Sequence, residues 1–127
     1  MTAEKSERKA IMEIKLHDIP EQIVHCMRDG KGDTHKQTFE DDYARIMIIT
    51  LDPGASIGPH THETNYEIFY GISGTGKVLY EGTEEPMAPG VCHYCPQGTQ
   101  SQLGQQRQRA PFGVCHHSQA RRLTEGK

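Results

Sequence analysis

The sequence predicts an all-β domain, and two observations support that prediction. Apolar segments are short and recur at intervals of about ten residues, with glycine- and proline-rich turns between them. The 127 residues are enough for one hydrophobic core but not for two. Only 34% of them are hydrophobic and none is tryptophan, so the core depends on aliphatic strands. This pattern is typical of a β-sandwich or β-barrel.

The N-terminal part contributes little to this core. Residues 1–10 are rich in Lys and Glu and are predicted to form a flexible arm. Short strands are predicted at 11–14 and 23–26, separated by the Asp-Ile-Pro break at 18–20. The sequence Asp-Gly-Lys-Gly at 29–32 indicates a turn.

The central part carries the clearest strands. Residues 44–51 (ARIMIITL) are rich in β-branched side chains and predict a central strand, which Asp-Pro-Gly ends. The strands predicted after it are 57–62, 66–72 and 76–81. Proline-glycine turns continue as far as Gly98. Beyond it, residues 99–109 are polar without a clear period, so we expect a β-barrel over 11–98 and an irregular C-terminal segment over 99–127.

One stretch indicates a metal site. His60 and His62 stand two positions apart, so on a strand both imidazoles point to the same face. Glu67 adds a hard oxygen ligand from the next predicted strand. Two histidines and one carboxylate form the facial set that binds non-haem iron, and the set also suits manganese, zinc or nickel. We therefore predict one divalent transition metal at these three residues.

The same stretch resembles the first signature of the cupin superfamily, whose members are small jelly-roll β-barrels that usually bind a metal. That signature is glycine, five residues, His-x-His, three or four residues, glutamate, six residues and glycine. Gly54, His60, His62, Glu67 and Gly74 fill every position. The resemblance implies a cupin-like jelly-roll barrel with these two histidines and this glutamate as metal ligands.

The second cupin signature is only half present. Gly90, Pro96 and Gly98 match it, but Ser101 stands in the histidine position and Gln105 in the asparagine position. The fourth ligand that the resemblance implies is therefore absent, and no final strand is evident.

Two explanations remain open for this departure. One is divergence to a three-ligand site. The other is a one-nucleotide shift near Thr99, because discarding the first base of that codon permits histidine at position 101 and asparagine or serine at position 105. The shifted frame also permits an apolar final strand. The nucleotide sequence across codons 96–101 decides between the two.

Two further groups of residues are candidates for metal binding. His93 precedes the Pro-x-Gly turn and can replace the missing ligand, although such a histidine more often forms a surface hydrogen bond. Cys92 and Cys95 have the Cys-x-x-Cys spacing that zinc sites use, and Cys115, His116 and His117 could complete such a site. On a strand, however, residues three apart face opposite ways, which would separate the two thiols.

Composition limits the function classes. The formal net charge is −3, with 14 Lys and Arg against 17 Asp and Glu, which argues against nucleic acid or an anionic membrane as a partner. The first residues resemble neither a signal peptide nor a membrane anchor. A cytoplasmic location is expected, and there the four cysteines would remain thiols.

These observations favour a small metal-binding protein that acts on, or captures, a small molecule. One hypothesis is an enzyme of the dioxygenase, isomerase or decarboxylase type with a polar or carboxylate-bearing substrate. A second is a non-catalytic binding or sensing module, and a third is an inactive relative with a damaged C-terminal segment. The resemblance includes both enzymes and modules, and it also implies a homodimer.

Overall fold

The protein forms two antiparallel β-sheets, as seen in a computed structural model that describes residues 13–63, 65–105 and 111–119. The strands of the chain are β1 (Gln22–His25), β2 (Asp33–Glu40), β3 (Ala44–Leu51), β4 (Ser56–Thr61), β5 (Glu67–Ser73), β6 (Gly76–Tyr80), β7 (Thr83–Met87), β8 (Cys92–Cys95), β9 (Gln100–Gln105) and β10 (Phe112–Gln119). Two short 3-10 turns span Leu16–Asp18 and Met27–Asp29. One sheet has the order β1-β2-β3-β10-β5-β8, and the other has the order β4-β9-β6-β7.

The core lies between the two sheets and is mainly aliphatic. In β3, the inward side chains of Met47, Ile49 and Leu51 are buried, as expected for alternate residues of a strand. Buried residues from both sheets complete the core: Ile57, Phe69, Val78, Met87, Cys95, Leu103, Phe112 and Val114. The prediction of an all-β, cupin-like jelly roll is confirmed.

The C-terminal segment is not irregular where the structure describes it, so that expectation is wrong. β10 lies in the middle of the six-stranded sheet and pairs with both β3 and β5. Its buried side chains alternate along the strand at Phe112, Val114, His116 and Ser118. His116 and Ser118 are polar, so the two-residue alternation typical of a strand was not evident from the apolar residues by which such a pattern is normally judged.

The same applies to β9, whose inward side chains are Ser101, Leu103 and Gln105. Gln105 can be buried because its side-chain amide forms hydrogen bonds with the main chain in place of those it would form with water. Its Nε2 donates to the carbonyl of Leu51 at 2.9 Å, and its Oε1 accepts from the N–H of Gly54 at 3.1 Å. The strand therefore carries its polar side chains inward at little cost, since each has a partner.

These strands remove one of the two reasons for the frame-shift hypothesis. The chain as given supplies the final strand that seemed to be missing. The hypothesis itself stays a prediction for the nucleotide sequence to test.

Other expectations are met unevenly. The strand predicted at 23–26 is β1, whereas residues 13 and 14 are not in a strand. The arm at 1–10 and the positions after 119 lie outside the described residues. Among the described residues, no helix is long and apolar enough to cross a membrane.

Candidate metal centre

Three predicted ligands meet between the two sheets. His60 lies in β4 and His62 directly follows it, whereas Glu67 begins β5 in the other sheet. Main-chain hydrogen bonds fix His62 in place: its N–H donates to the carbonyl of Thr99 at 2.9 Å, and its carbonyl accepts from the N–H of Gly98 at 2.7 Å. The Pro-x-Gly turn thus holds the second histidine at the inner face.

The distances among these side chains suit a single ion. One nitrogen of His60, one nitrogen of His62 and one carboxylate oxygen of Glu67 all lie within 4.8 Å of one another. His60 Nε2 is 3.5 Å from Glu67 Oε2, and His62 Nδ1 is 3.3 Å from Glu67 Oε1. The structure therefore brings together the three residues that the His-x-His and Glu spacing singled out.

An unsatisfied nitrogen supports the fit of a metal. His62 is fully buried, yet its Nδ1 makes no hydrogen bond, even though Glu67 Oε1 is close. Buried polar atoms without partners are rare and need an explanation such as an ion or a water. Burial also lowers the pKa of His62, which keeps its imidazole neutral and able to donate a lone pair.

The carboxylate is also in the form that a metal requires. Burial alone would raise the pKa of Glu67, but hydrogen bonds from His116 and His60 outweigh it. The charges that His116 and His62 carry only when protonated act in the same direction, and the pKa of Glu67 lies far below its usual value. Glu67 is therefore an anion at neutral pH.

His116 belongs to this site, although the sequence assigned it only to the alternative zinc group. It projects inward from β10, is almost completely buried, and its Nε2 lies 3.2 Å from Glu67 Oε2. Its ring also packs on Phe69, with 5.1 Å between ring centroids. It contacts Oε2 of the carboxylate, whereas His62 lies beside Oε1. The alternation of Phe112, Val114 and His116 was the signal that could have identified it.

Ser101 occupies the place where the resemblance implies a histidine. It is buried opposite His60 in the pairing of β4 and β9, and its Oγ forms a 3.0 Å hydrogen bond with His62 Nε2. The short side chain thus contacts a predicted ligand rather than serving as a fourth one itself. It fixes the orientation of the His62 ring.

His93 lies apart from the three-residue group. Its Nε2 is 2.8 Å from Glu85 Oε1, and its Nδ1 is 3.4 Å from Cys95 Sγ. Both ring nitrogens therefore have partners other than a metal. The ligand role suggested for His93 has no geometric support.

The alternative zinc site is not assembled. Cys92 is exposed whereas Cys95 is fully buried, since they lie on opposite faces of β8. Cys115 pairs with Tyr70 and Ile48 on neighbouring strands. Among the described residues, the one group with metal-binding geometry is His60, His62 and Glu67.

An open pocket adjoins this group. Its empty space, counted together with the open solvent at its mouth, is about 540 Å³. His60, Glu67, Ser101 and His116 are among the residues that line it. A ligand in the pocket would therefore reach the predicted metal position.

Comparisons with known sequences agree with this geometry. The sequence model of the family described as "Cupin domain" matches residues 47–106. The chain is also 30% identical over 88 residues to an oxalate-binding protein from Thermotoga maritima, an alignment that covers 64% of this chain and 73% of that protein.

Solved structures resemble the whole fold. A predicted oxalate decarboxylase from Thermotoga maritima has a TM-score of 0.78 at 21% identity, over 85% of this chain and 98% of that chain. The polyketide cyclase RemF from Streptomyces resistomycificus has a TM-score of 0.71 at 20% identity, over 84% of this chain and 78% of that chain. At these identities the likeness shows the fold alone.

Proposed function

Because the chain belongs to the cupin superfamily, we propose that it is a small metal-dependent enzyme. His60, His62 and Glu67 would hold one divalent transition metal, and the adjoining pocket would bind a small polar or carboxylate-bearing substrate. The observation that carries the proposal is the convergence of three ligand atoms beside a buried, unbonded His62 nitrogen.

The number of ligands favours a catalytic role over a structural one. Structural sites usually surround the ion with protein ligands, whereas catalytic sites keep a position open for water or substrate. Two histidines and one glutamate would leave coordination positions free for water or for a ligand from the adjoining pocket. When bound, the metal would supply Lewis acidity or a binding position for a small reactant.

The other residues of the site have supporting roles. His116 would keep the Glu67 carboxylate in place, and Ser101 would orient the His62 ring. The apolar side chains of Ile57 and Phe69 would limit access of water to the pocket. None of these contacts assigns a separate general base.

The relative from Thermotoga maritima is named as an oxalate-binding protein. Oxalate is small and anionic, and its carboxylate oxygens are suited to a metal with open positions. We therefore propose oxalate as the first ligand to assay, with decarboxylase and oxygen-consuming reactions as the first activities.

Metal analysis of the purified protein tests the proposal. We expect about one Fe, Mn, Zn or Ni per chain in the wild type and loss of that metal in His60→Ala and Glu67→Gln. His25→Gln is the matched control, because His25 is an exposed histidine bonded to Asp33. Full metal content in the Glu67 variant would contradict the assigned ligand set.

The alternative is a non-catalytic module that binds or senses a small molecule in the same pocket. Turnover of oxalate or a related acid, followed as oxygen uptake or CO₂ release, would favour the enzyme. A ligand that binds to metal-free protein without turnover would favour the module.

Two further proposals concern the surroundings of the protein. Large apolar side chains are exposed on β5 and on the edge strand β8, at Tyr70, Ile72 and Tyr94, and we propose that this face supports a homodimer. Sedimentation of the wild type and Tyr94→Ser tests it, with a monomeric variant expected.

We also propose a cytoplasmic location, which cell fractionation would test.

A further inference from the structure

The pocket beside the predicted metal site has a strongly cationic wall. Arg28, Lys36 and Arg45 come from the turn after β1, from β2 and from β3, and all three line the same pocket as His60 and Glu67. We call these three side chains the basic wall. A chain with a net charge of −3 has thus concentrated three cations at one opening.

The charges of the basic wall are poorly compensated. Within the described part of the chain, Arg28 and Lys36 form no ion pair, and Arg45 contacts only Glu40, at 3.3 Å on an exposed surface. Burial lowers the pKa of Lys36, and repulsion from Arg45 and Arg28 lowers it further, while Glu40 opposes the shift. An anion bound among the three would relieve this repulsion.

The backbone around Arg28 is strained. Cys26, Arg28 and Asp29 all have φ between 51° and 65°, in the left-handed region that side chains with a Cβ rarely adopt. Such strain persists only where the surroundings enforce it, and it is concentrated at functional sites.

Close packing against β4 enforces this conformation. A Cβ on Gly58 would lie 1.9 Å from the carbonyl oxygen of Arg28, so the close approach requires glycine. On the other side, Ser56 exchanges main-chain hydrogen bonds with Lys31 at 2.8 and 3.2 Å. Gly58 is two residues from His60, so the turn fixes Arg28 beside the predicted ligands.

We propose that the pocket binds a substrate with two polar ends: one reaches the His60–His62–Glu67 group, and the other is a carboxylate or phosphate held by Arg28, Lys36 and Arg45. This proposal rests on the proposed function for its first end only. Arginine suits both oxyanions because its guanidinium donates two parallel hydrogen bonds. The wall also attracts such anions to an otherwise acidic molecule.

Isothermal titration of the metal-loaded protein with three probes tests the proposal. Succinate and 3-phosphoglycerate distinguish the carboxylate from the phosphate, and succinamide is the uncharged control. We expect at least one anion to bind, and its affinity to fall by about tenfold or more in Lys36→Met and Arg45→Met. Lys36→Arg should retain most of the affinity, and Lys31→Met, outside the pocket, should match the wild type.

Two results would overturn the proposal: neither anion binds the wild type, or both bind the Lys36 and Arg45 variants as tightly as the wild type. Metal content, measured on the same samples, keeps this outcome separate from the proposed function. If the protein contains no metal but still binds an anion, and the Lys36 and Arg45 variants bind it more weakly, the basic wall is supported and the metal proposal is contradicted. If the protein contains its full complement of metal but the wall variants bind the anions as tightly as the wild type, the metal proposal is supported and the basic wall is contradicted.

Discussion

Replacement of Phe112 by alanine tests whether the C-terminal strand belongs to the core. Phe112 is fully buried, and its ring reaches from β10 to the backbone of β6 in the opposite sheet. A Cβ placed on Gly76 would lie 2.3 Å from the ring, so the ring packs directly against the backbone there. Truncation would leave a cavity between the sheets.

The expected loss is large for a domain of this size. Removing a buried phenylalanine side chain costs about 3–5 kcal/mol. For 127 residues the unfolding entropy is about 0.27 kcal/mol/K, so the melting temperature should fall by about 11–19 °C. Urea unfolding should show the same free-energy loss with an unchanged slope.

Calorimetry and circular dichroism would measure the thermal unfolding of Phe112→Ala and of a control variant. Gln119→Ala, at the end of the same strand, is the control and should change stability by no more than about 0.5 kcal/mol. A melting temperature lowered by less than about 4 °C in Phe112→Ala would refute the packing of β10. His116 would then also lack its position at the site.

Three other changes have distinct readouts. Ser101→His should tighten metal binding by at least about tenfold, measured by competition with a chelator; equal or weaker binding would show that the imidazole does not reach the ion. The pKa of His35 is raised above 6.5, chiefly by its hydrogen bond to Glu21, so its stabilising contribution is complete below pH 6.5 and is lost as pH rises through the raised pKa. His35→Gln should therefore reduce the fall in urea midpoint between about pH 6 and 8, and an identical pH profile in the variant would contradict this. Burial raises the pKa of Cys95 to about 11, so iodoacetamide should label exposed Cys26 in the native protein and Cys95 only after denaturation; equal labelling rates by mass spectrometry would contradict the burial.

The sequence was sufficient for the fold family and for three residues of the candidate site. Ala44–Leu51 is apolar and β-branched, so its strand was evident. His60, His62 and Glu67 could be predicted because their spacing within two consecutive strands is local, and local geometry follows from the period of a strand.

The rest depends on contacts between distant segments. Ser101 and His116 reach the site only because β9 and β10 pair with strands far away in the sequence. Their inward positions are polar, which a hydrophobic pattern cannot recognise as buried. The partners that satisfy them, such as His62 for Ser101, become visible only in three dimensions. The basic wall was hidden for the same reason, since Arg28, Lys36 and Arg45 belong to separate elements.

The position of β10 has a consequence for folding during synthesis on the ribosome. This strand follows the other nine described strands in the chain, yet it fills the gap between β3 and β5, and it pairs Gln119 with Ala44, made 75 residues earlier. Until β10 emerges, β3 and β5 each expose an unpaired edge, and the two parts of the sheet, β1-β2-β3 and β5-β8, are not joined. Folding of this sheet must therefore wait until β10 has been synthesised, and nascent chains stalled before codon 112 should depend on chaperones.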